Sequence, residues 1–370
     1  MDRRFVIPWI VATGRGCLGQ IGPIAAGMGK RALLVAGKKS LAASGALAEI
    51  ESILRRSGVG VAVFDSVPPE PTLSCVEEGI GAARAQECDL VIGAGGGSAM
   101  DAAKAIGALA NETGPLRGCF DGAEILGPGL PVAAIPTTSG SGAEATPNSV
   151  LTDSGRRIKR SVRGRGILPA AAVADPDLTV SCPGDITASA GLDALAQAIE
   201  SYVSRFAWPM SEAASLGAFE LVAANLRRAW EDGSDVEARE AMGYGSLLAG
   251  VGLANARLGI VHGLAHPLGT SRGIPHGRLC GILLAHSMRF NLPAAGEKFE
   301  RLSRIVGGDA VEFVDRLRAD MGLPENLRGY AIGEADLPGI IEEALASGST
   351  AANPRRVTGE DLREFLEGIV

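Results

Sequence analysis

The first half of the chain alternates short apolar runs with amphipathic stretches. RALLVAG at 31–37 has the pattern of a buried strand, a helix is expected around 47–56, and a further strand at 59–64. A helix near 74–85, the strand-like DLVI at 89–92, a Gly-rich turn, a helix over 99–109 and the strand PVAAI at 131–135 continue the series. Apolar strands separated by helices predict βαβ units and a mainly parallel sheet, with ligands at the carboxyl ends of the strands. After 175–183 the texture changes. Ala/Leu/Glu-rich segments at 186–205, 210–230, 236–254, 263–268 and 279–291 follow a helical period, with shorter ones to Val370 and little strand alternation. The expected architecture is an α/β nucleotide-binding domain over 1–180 and an all-α domain over 181–370. No repeat or low-complexity linker separates them.

Composition narrows the function. Apolar residues make up 46% and charged residues 21% of 370 positions, which is that of a globular chain. A formal net charge of −7 leaves no basic excess to release counterions from phosphates, so a nucleic-acid partner is not expected. Six cysteines are scattered without a C-x-x-C pair, which excludes a zinc ribbon or a small disulfide framework. The N-terminal apolar run is too short for a signal peptide, and no stretch reaches the ~18–20 apolar residues of a membrane span. The expected compartment is the cytoplasm, with no membrane partner.

The segment DLVIGAGGGSAMDAAKAIG places Gly93, Gly95, Gly96 and Gly97 between a strand and a helix. Backbone without side chains lets amide groups approach a pyrophosphate, and the helix N-terminus adds its positive dipole end. Ser98 is a candidate cap or phosphate donor. The turn lacks the G-K-[ST] ending of a nucleoside-triphosphate loop. With Asp101 and Lys104, the pattern GGGS-x-x-D-x-A-K resembles the iron-containing (group III) alcohol dehydrogenases. IPTTSGSGAEATPNSVLTD at 135–153, LPAAAVADPDLTVSCP at 168–183 and the His-rich segment at 261–286 resemble the same family, in its order.

The resemblance implies a Rossmann-like nucleotide-binding domain followed by an all-α domain, the dehydroquinate synthase-like fold. It also implies hydride transfer between a nicotinamide and a small alcohol or aldehyde, and a homodimer. By it, Gly95, Gly96, Gly97, Ser98 and Asp101 belong to the pyrophosphate turn. Thr137, Thr138 and Ser141 line the nicotinamide side, and Lys159 lies near the nicotinamide ribose. Relatives that prefer NAD carry an Asp at the end of the first strand. Here Gly37 stands there, followed by Lys38 and Lys39, a combination that accepts a 2′-phosphate, so NADP(H) is favoured over NAD(H). The basic stretch 156–165 reads as a solvated hairpin, with Lys159 alone reaching inward.

All four histidines, His262, His266, His276 and His286, fall in one segment. The family holds a divalent metal by an Asp and a His one helical turn apart plus two further His. These match Asp193, Gln197, His262 and His276. Gln197 stands where a His is expected, and its amide oxygen is a weak donor beside imidazole for Fe2+ or Zn2+. The expectation is Lewis-acid catalysis through Asp193, His262 and His276, with Gln197 distant or ligating through oxygen and His266 as proton relay. A metal-independent reductase resembling the maleylacetate reductases, with the chemistry on His266 and His276, is the alternative. So is a non-catalytic nucleotide-binding homologue. Arg257 and Arg272 flank the His motif and, with Asn148, are candidate substrate residues. A guanidinium there would clamp a carboxylate or phosphonate, so an anionic aldehyde is the candidate substrate.

Overall fold

A computed structural model describes residues 3–112, 114–123, 125 and 127–370. They form two compact units, one over Ile7–Cys182 and one over Pro183–Val370 that also includes residues 3–6.

In chain order the first unit comprises β1 (Ile10–Thr13), α1 (Ile21–Met28), β2 (Arg31–Gly37), α2 (Ser40–Ala43), α3 (Ala46–Arg56), β3 (Gly60–Val67) and α4 (Leu73–Ala85). It continues with β4 (Leu90–Gly95), α5 (Gly97–Leu109), α6 (Leu116–Phe120), β5 (Val132–Pro136), β6 (Asn148–Asp153), β7 (Ile158–Arg163) and β8 (Ala171–Ala174). Six strands pair in parallel in the order β1-β8-β5-β4-β2-β3, and β6 and β7 form a separate antiparallel hairpin. Because side chains alternate across a strand, Leu33 and Val35 of β2 face one helical layer with Val76, Ile80 and Ile106. Ala32 and Leu34 face the other, with Ile21, Ile50 and Leu54. A sheet covered on both faces explains why β2, β4 and β5 are apolar almost throughout.

The strand order reverses between β2 and β4, paired from Ala32↔Leu90 to Ala36↔Ala94. A doubly wound sheet opens a ligand crevice at such a switch point, at the carboxyl ends of the strands. Gly37 and Gly95 end those two strands. Strand β1 was not anticipated. It is four residues long, and two of the four are exposed, so it carries little apolar signal.

The second unit is helical: α7 (Gly184–Val203), α8 (Pro209–Glu231), α9 (Val236–Ala256), α10 (Ile260–Arg272), α11 (His276–Val306), α12 (Ala310–Asp320), α13 (Leu337–Ala346) and α14 (Gly359–Glu367). Two expected helices extend further than their apolar patterns. The 263–268 segment is the middle of α10, and the 279–291 segment belongs to α11. Pro293 argues for a stop at 291, but the chain absorbs it by a local break at Ala295 (φ −138°, ψ 25°) and continues to Val306. The N-terminal residues 3–6 dock here: Val6 N–H donates to Asn255 Oδ1 at 2.7 Å and its carbonyl accepts from Nδ2 at 2.8 Å. Among the described residues no single helix is long and apolar enough to cross a membrane.

Candidate active site

In the first unit the turn from β4 into α5 is a cradle of bare backbone. Gly95 has φ 144°, a conformation L side chains rarely adopt, and a Cβ there would lie 2.9 Å from that of Ala99. Gly96 caps α5 with no side-chain hydrogen bond, so first-turn amides remain for a ligand. Thr137 N–H donates to the Gly95 carbonyl at 2.9 Å, which brings the 137–141 loop alongside. A Cβ at Gly97 would meet Ser141 Oγ at 2.8 Å, and one at Gly96 would lie 3.5 Å from Thr138 Oγ1. Gly95, Gly96, Gly97, Thr137, Thr138 and Ser141 thus converge at the turn where the dinucleotide pyrophosphate is expected, packed too closely for a side chain at Gly95 or Gly97.

Other residues assigned to the cofactor have protein partners. The Ser98 hydroxyl donates to the Pro69 carbonyl instead of capping α5. Asp101 braces α5: one oxygen pairs with the fully buried Lys104 ammonium at 2.9 Å and the other accepts from Val150 N–H at 3.0 Å. Lys159, on the hairpin, is 2.8 Å from Glu70 Oε1 with its side chain only 12% exposed. Around it Arg156 and Arg160 pair with Asp121 and lie over the Phe120 ring. Lys38 and Lys39 are exposed beyond β2. A Cβ at Gly37 would lie 3.7 Å from the Val67 carbonyl, an ordinary contact, so sterics do not forbid a carboxylate there. Asn148 begins β6, half-buried and opposite Arg163.

In the second unit the donors come from three helices. Asp193, Gln197 and Glu200 are spaced i, i+4, i+7 on α7, one face of the helix, and all are buried. His262 lies in the first turn of α10, and His276 and Cys280 lie one turn apart at the start of α11. Gly277 allows the close approach of α11, since a Cβ there would lie 2.3 Å from the Ser189 carbonyl oxygen of α7. His262 Nε2 is 3.1 Å from Asp193 Oδ1, and His276 Nε2 is 3.8 Å from the same oxygen. Cys280 Sγ lies 3.8 Å from His262 Nε2 and 3.6 Å from His276 Nε2. One donor atom from each of Asp193, His262, His276 and Cys280 lies within 4.8 Å of all the others.

Glu200 fixes the polarity of this cluster. Its Oε1 accepts from Val261 N–H at 2.7 Å and its Oε2 lies 2.7 Å from His262 Nδ1. A carboxylate only accepts, so Nδ1 carries the proton and the Nε2 lone pair of a neutral ring faces Asp193. Two acceptors 3.1 Å apart require a cation between them, a second proton or a metal ion. The electrostatics agree. Burial opposes ionisation of Asp193, but hydrogen bonds from His262 and Gln197 and the charge of His276 and His262 hold it at about 2. Burial likewise opposes an imidazolium at His262, yet Cys280, Asp193 and Glu200 raise it well above the ordinary histidine value. Burial pushes the Cys280 thiol up to about 12. A carboxylate, two imidazoles and a thiol are a donor set for a borderline-soft divalent ion, so a metal fits these residues.

Not all the expected residues join the cluster. The His266 ring is 5.4 Å from that of His276, within the group, whereas His286 hydrogen-bonds the Glu325 carbonyl at 2.8 Å and lies apart. Arg257 has φ 62° and stacks over Phe206 at 4.9 Å, and Arg272 is ion-paired with Asp336. Cys280 and Glu200 were missed. The available signals were the i,i+4 spacing of Cys280 from His276 and the i+7 spacing of Glu200 from Asp193.

The family model for iron-containing alcohol dehydrogenase matches residues 8–176, and that for the C-terminal region of the Fe-containing alcohol dehydrogenase family matches 187–370. The chain is 38% identical to a 1,3-propanediol dehydrogenase of Citrobacter freundii, over 91% of both chains. A crystal structure of a 1,3-propanediol oxidoreductase superposes with TM-score 0.95 at 36% identity and full coverage of both chains. The sulfoacetaldehyde reductase of Bifidobacterium kashiwanohense, solved with NAD+, gives TM-score 0.90 at 28% identity, over 100% of this chain and 99% of that one. The chain belongs to the iron-containing alcohol dehydrogenase family, and it is an enzyme of the alcohol dehydrogenase and aldehyde reductase type.

Proposed function

We propose that this enzyme interconverts a small aldehyde and its alcohol with NADP(H) in preference to NAD(H), assisted by a divalent cation at Asp193, His262 and His276. The carrying observation is the buried cluster itself, with His262 Nε2 at 3.1 Å and His276 Nε2 at 3.8 Å from the one oxygen Asp193 Oδ1. In the reducing direction aldehyde, NADPH and a proton give alcohol and NADP+. When bound, the cation supplies Lewis acidity at the carbonyl oxygen and the reduced nicotinamide supplies the hydride. Glu200 keeps the Nδ1 proton of His262 in place, so that Nε2 faces the cluster centre. His266, one turn further along α10, supplies the proton that the product hydroxyl needs. In the first unit the Gly95–Gly97 turn binds the pyrophosphate, and Lys38 and Lys39 take the 2′-phosphate that a carboxylate at position 37 would repel.

An anionic aldehyde is our proposed substrate, supported by the similarity to a sulfoacetaldehyde reductase. Arg272 would have to exchange Asp336 for the substrate anion. The second partner is another copy of the chain. Trp9 is 92% exposed beside Ile10 and Val11 on the sheet-edge strand β1, an apolar edge that strand pairing would cover. One experiment tests the chemistry: metal content of the purified protein, with NADPH and NADH oxidation by neutral and anionic aldehydes before and after chelation. We expect bound metal, turnover lost on chelation and restored by metal, at least about a tenfold NADPH preference, and faster reduction of the anionic aldehydes. Metal-free protein with full activity would move the chemistry to His266 and His276. Equal rates with both cofactors, or with both aldehyde classes, would sink the corresponding preference.

A further inference from the structure

Position 197 holds a glutamine, and the side chain closest to replacing an imidazole there comes from another helix. We propose that Cys280 is the fourth protein ligand of the cation, in place of Gln197, so that the site is an Asp193–His262–His276–Cys280 set with a preference for Zn2+ over Fe2+. The inference rests on the metal-assisted reading above and deepens it.

The distances carry it. Around a tetrahedral zinc, with Zn–S about 2.3 Å and Zn–N about 2.0–2.1 Å, a sulfur and a nitrogen donor lie about 3.6 Å apart. Nitrogen and oxygen donors lie about 3.3 Å apart on the same geometry. Here Sγ is 3.6 Å from His276 Nε2 and 3.8 Å from His262 Nε2, and Asp193 Oδ1 is 3.1 Å and 3.8 Å from the same two nitrogens. These four separations approximate the edges of one coordination tetrahedron. Cys280 is fully buried, and its i,i+4 spacing from His276 fixes both donors on one face of α11. Gln197, also buried, hydrogen-bonds Asp193 and so orients that carboxylate. Binding displaces the thiol proton: Cys280–SH and M2+ give Cys280–S–M+ and H+, the proton passing to solvent. A thiolate is softer than imidazole, which moves selectivity from iron towards zinc.

The test uses the full-length protein loaded with Co2+ or Zn2+. Cobalt should bind at one equivalent and show a thiolate-to-cobalt charge-transfer band in the near ultraviolet. C280S should lose that band and bind zinc at least about 100-fold more weakly, while Q197A should keep the band. X-ray absorption of the zinc-loaded wild type, which needs no variant, should find one sulfur at about 2.3 Å among lighter donors. One equivalent bound without sulfur, or with affinity and spectrum unchanged in C280S, overturns the Cys280 assignment and leaves metal-assisted reduction standing. No metal uptake with undiminished aldehyde reduction overturns both.

Discussion

Of the carboxyl groups that the two units bury, Glu144 in the first and Asp193 in the second titrate in opposite directions. Glu144, just before β6, is pushed up to about 7 by burial, against the weaker pull of its own backbone hydrogen bond and the Lys104 ammonium. Lys104 spends its donors on Asp101, the Ala143 carbonyl and Thr146 Oγ1, and among the described residues Glu144 Oε2 has no hydrogen-bond partner. Asp193 is equally shielded, yet it is held at about 2 because donors and positive charge surround it. Burial raises any carboxyl. A surrounding shell that favours charge keeps Asp193 a carboxylate, whereas Glu144, without one, is only partly ionised near neutral pH.

Removing the charge at Asp193 should therefore have the largest effect. In Asp193→Asn, kcat/KM for aldehyde reduction should fall by about 10³-fold, the upper range for losing one preorganised electrostatic group. NADPH affinity, measured by fluorescence titration, should stay at the wild-type value, because the glycine cradle belongs to the other unit. Loss of both together would mean that the two units do not bind their ligands independently.

Glu200 is the next step down, as a positioning residue. In Glu200→Gln an oxygen remains for Val261 N–H, but the charge that holds the His262 Nδ1 proton is gone. Zinc affinity should weaken by about 100-fold, and the pH profile of metal binding should shift as the ring's preferred tautomer is lost. A purely structural role would lower the melting temperature and leave that profile in place.

The same contrast decides what could be read before the structure. Gly95, Gly96, Gly97 and Ser98 are consecutive and lie at a strand-to-helix junction, so the glycine turn is written in local pattern, whereas the role of Gly37 comes from the resemblance. Asp193, His262 and His276 are far apart in sequence and were reached only through resemblance to a family. Spacing of the cysteines to one another gives Cys280 no role. Its relation to His276 emerges only when α11 is known to begin at His276. Proximity to the histidines makes Arg257 and Arg272 candidate substrate residues. Their partners, Phe206 and Asp336, lie far off in sequence and could not be seen.

Glu144→Gln carries the smallest effect and isolates what burial does without a cation. A carboxyl whose folded-state pKa is raised contributes stability that is fully present below its unfolded value of 4.5 and lost as pH rises through about 7. Wild-type protein should therefore lose stability relative to Glu144→Gln between about pH 4.5 and 8, by on the order of 3 kcal/mol. Urea unfolding of both proteins across that range measures the difference directly, since every other titrating group is common to the two. Parallel stability curves would show that Glu144 is ionised in the folded protein at neutral pH. Lys104 would then be acting on Glu144 as His262 and His276 act on Asp193, and the two carboxyls would differ in degree and not in kind.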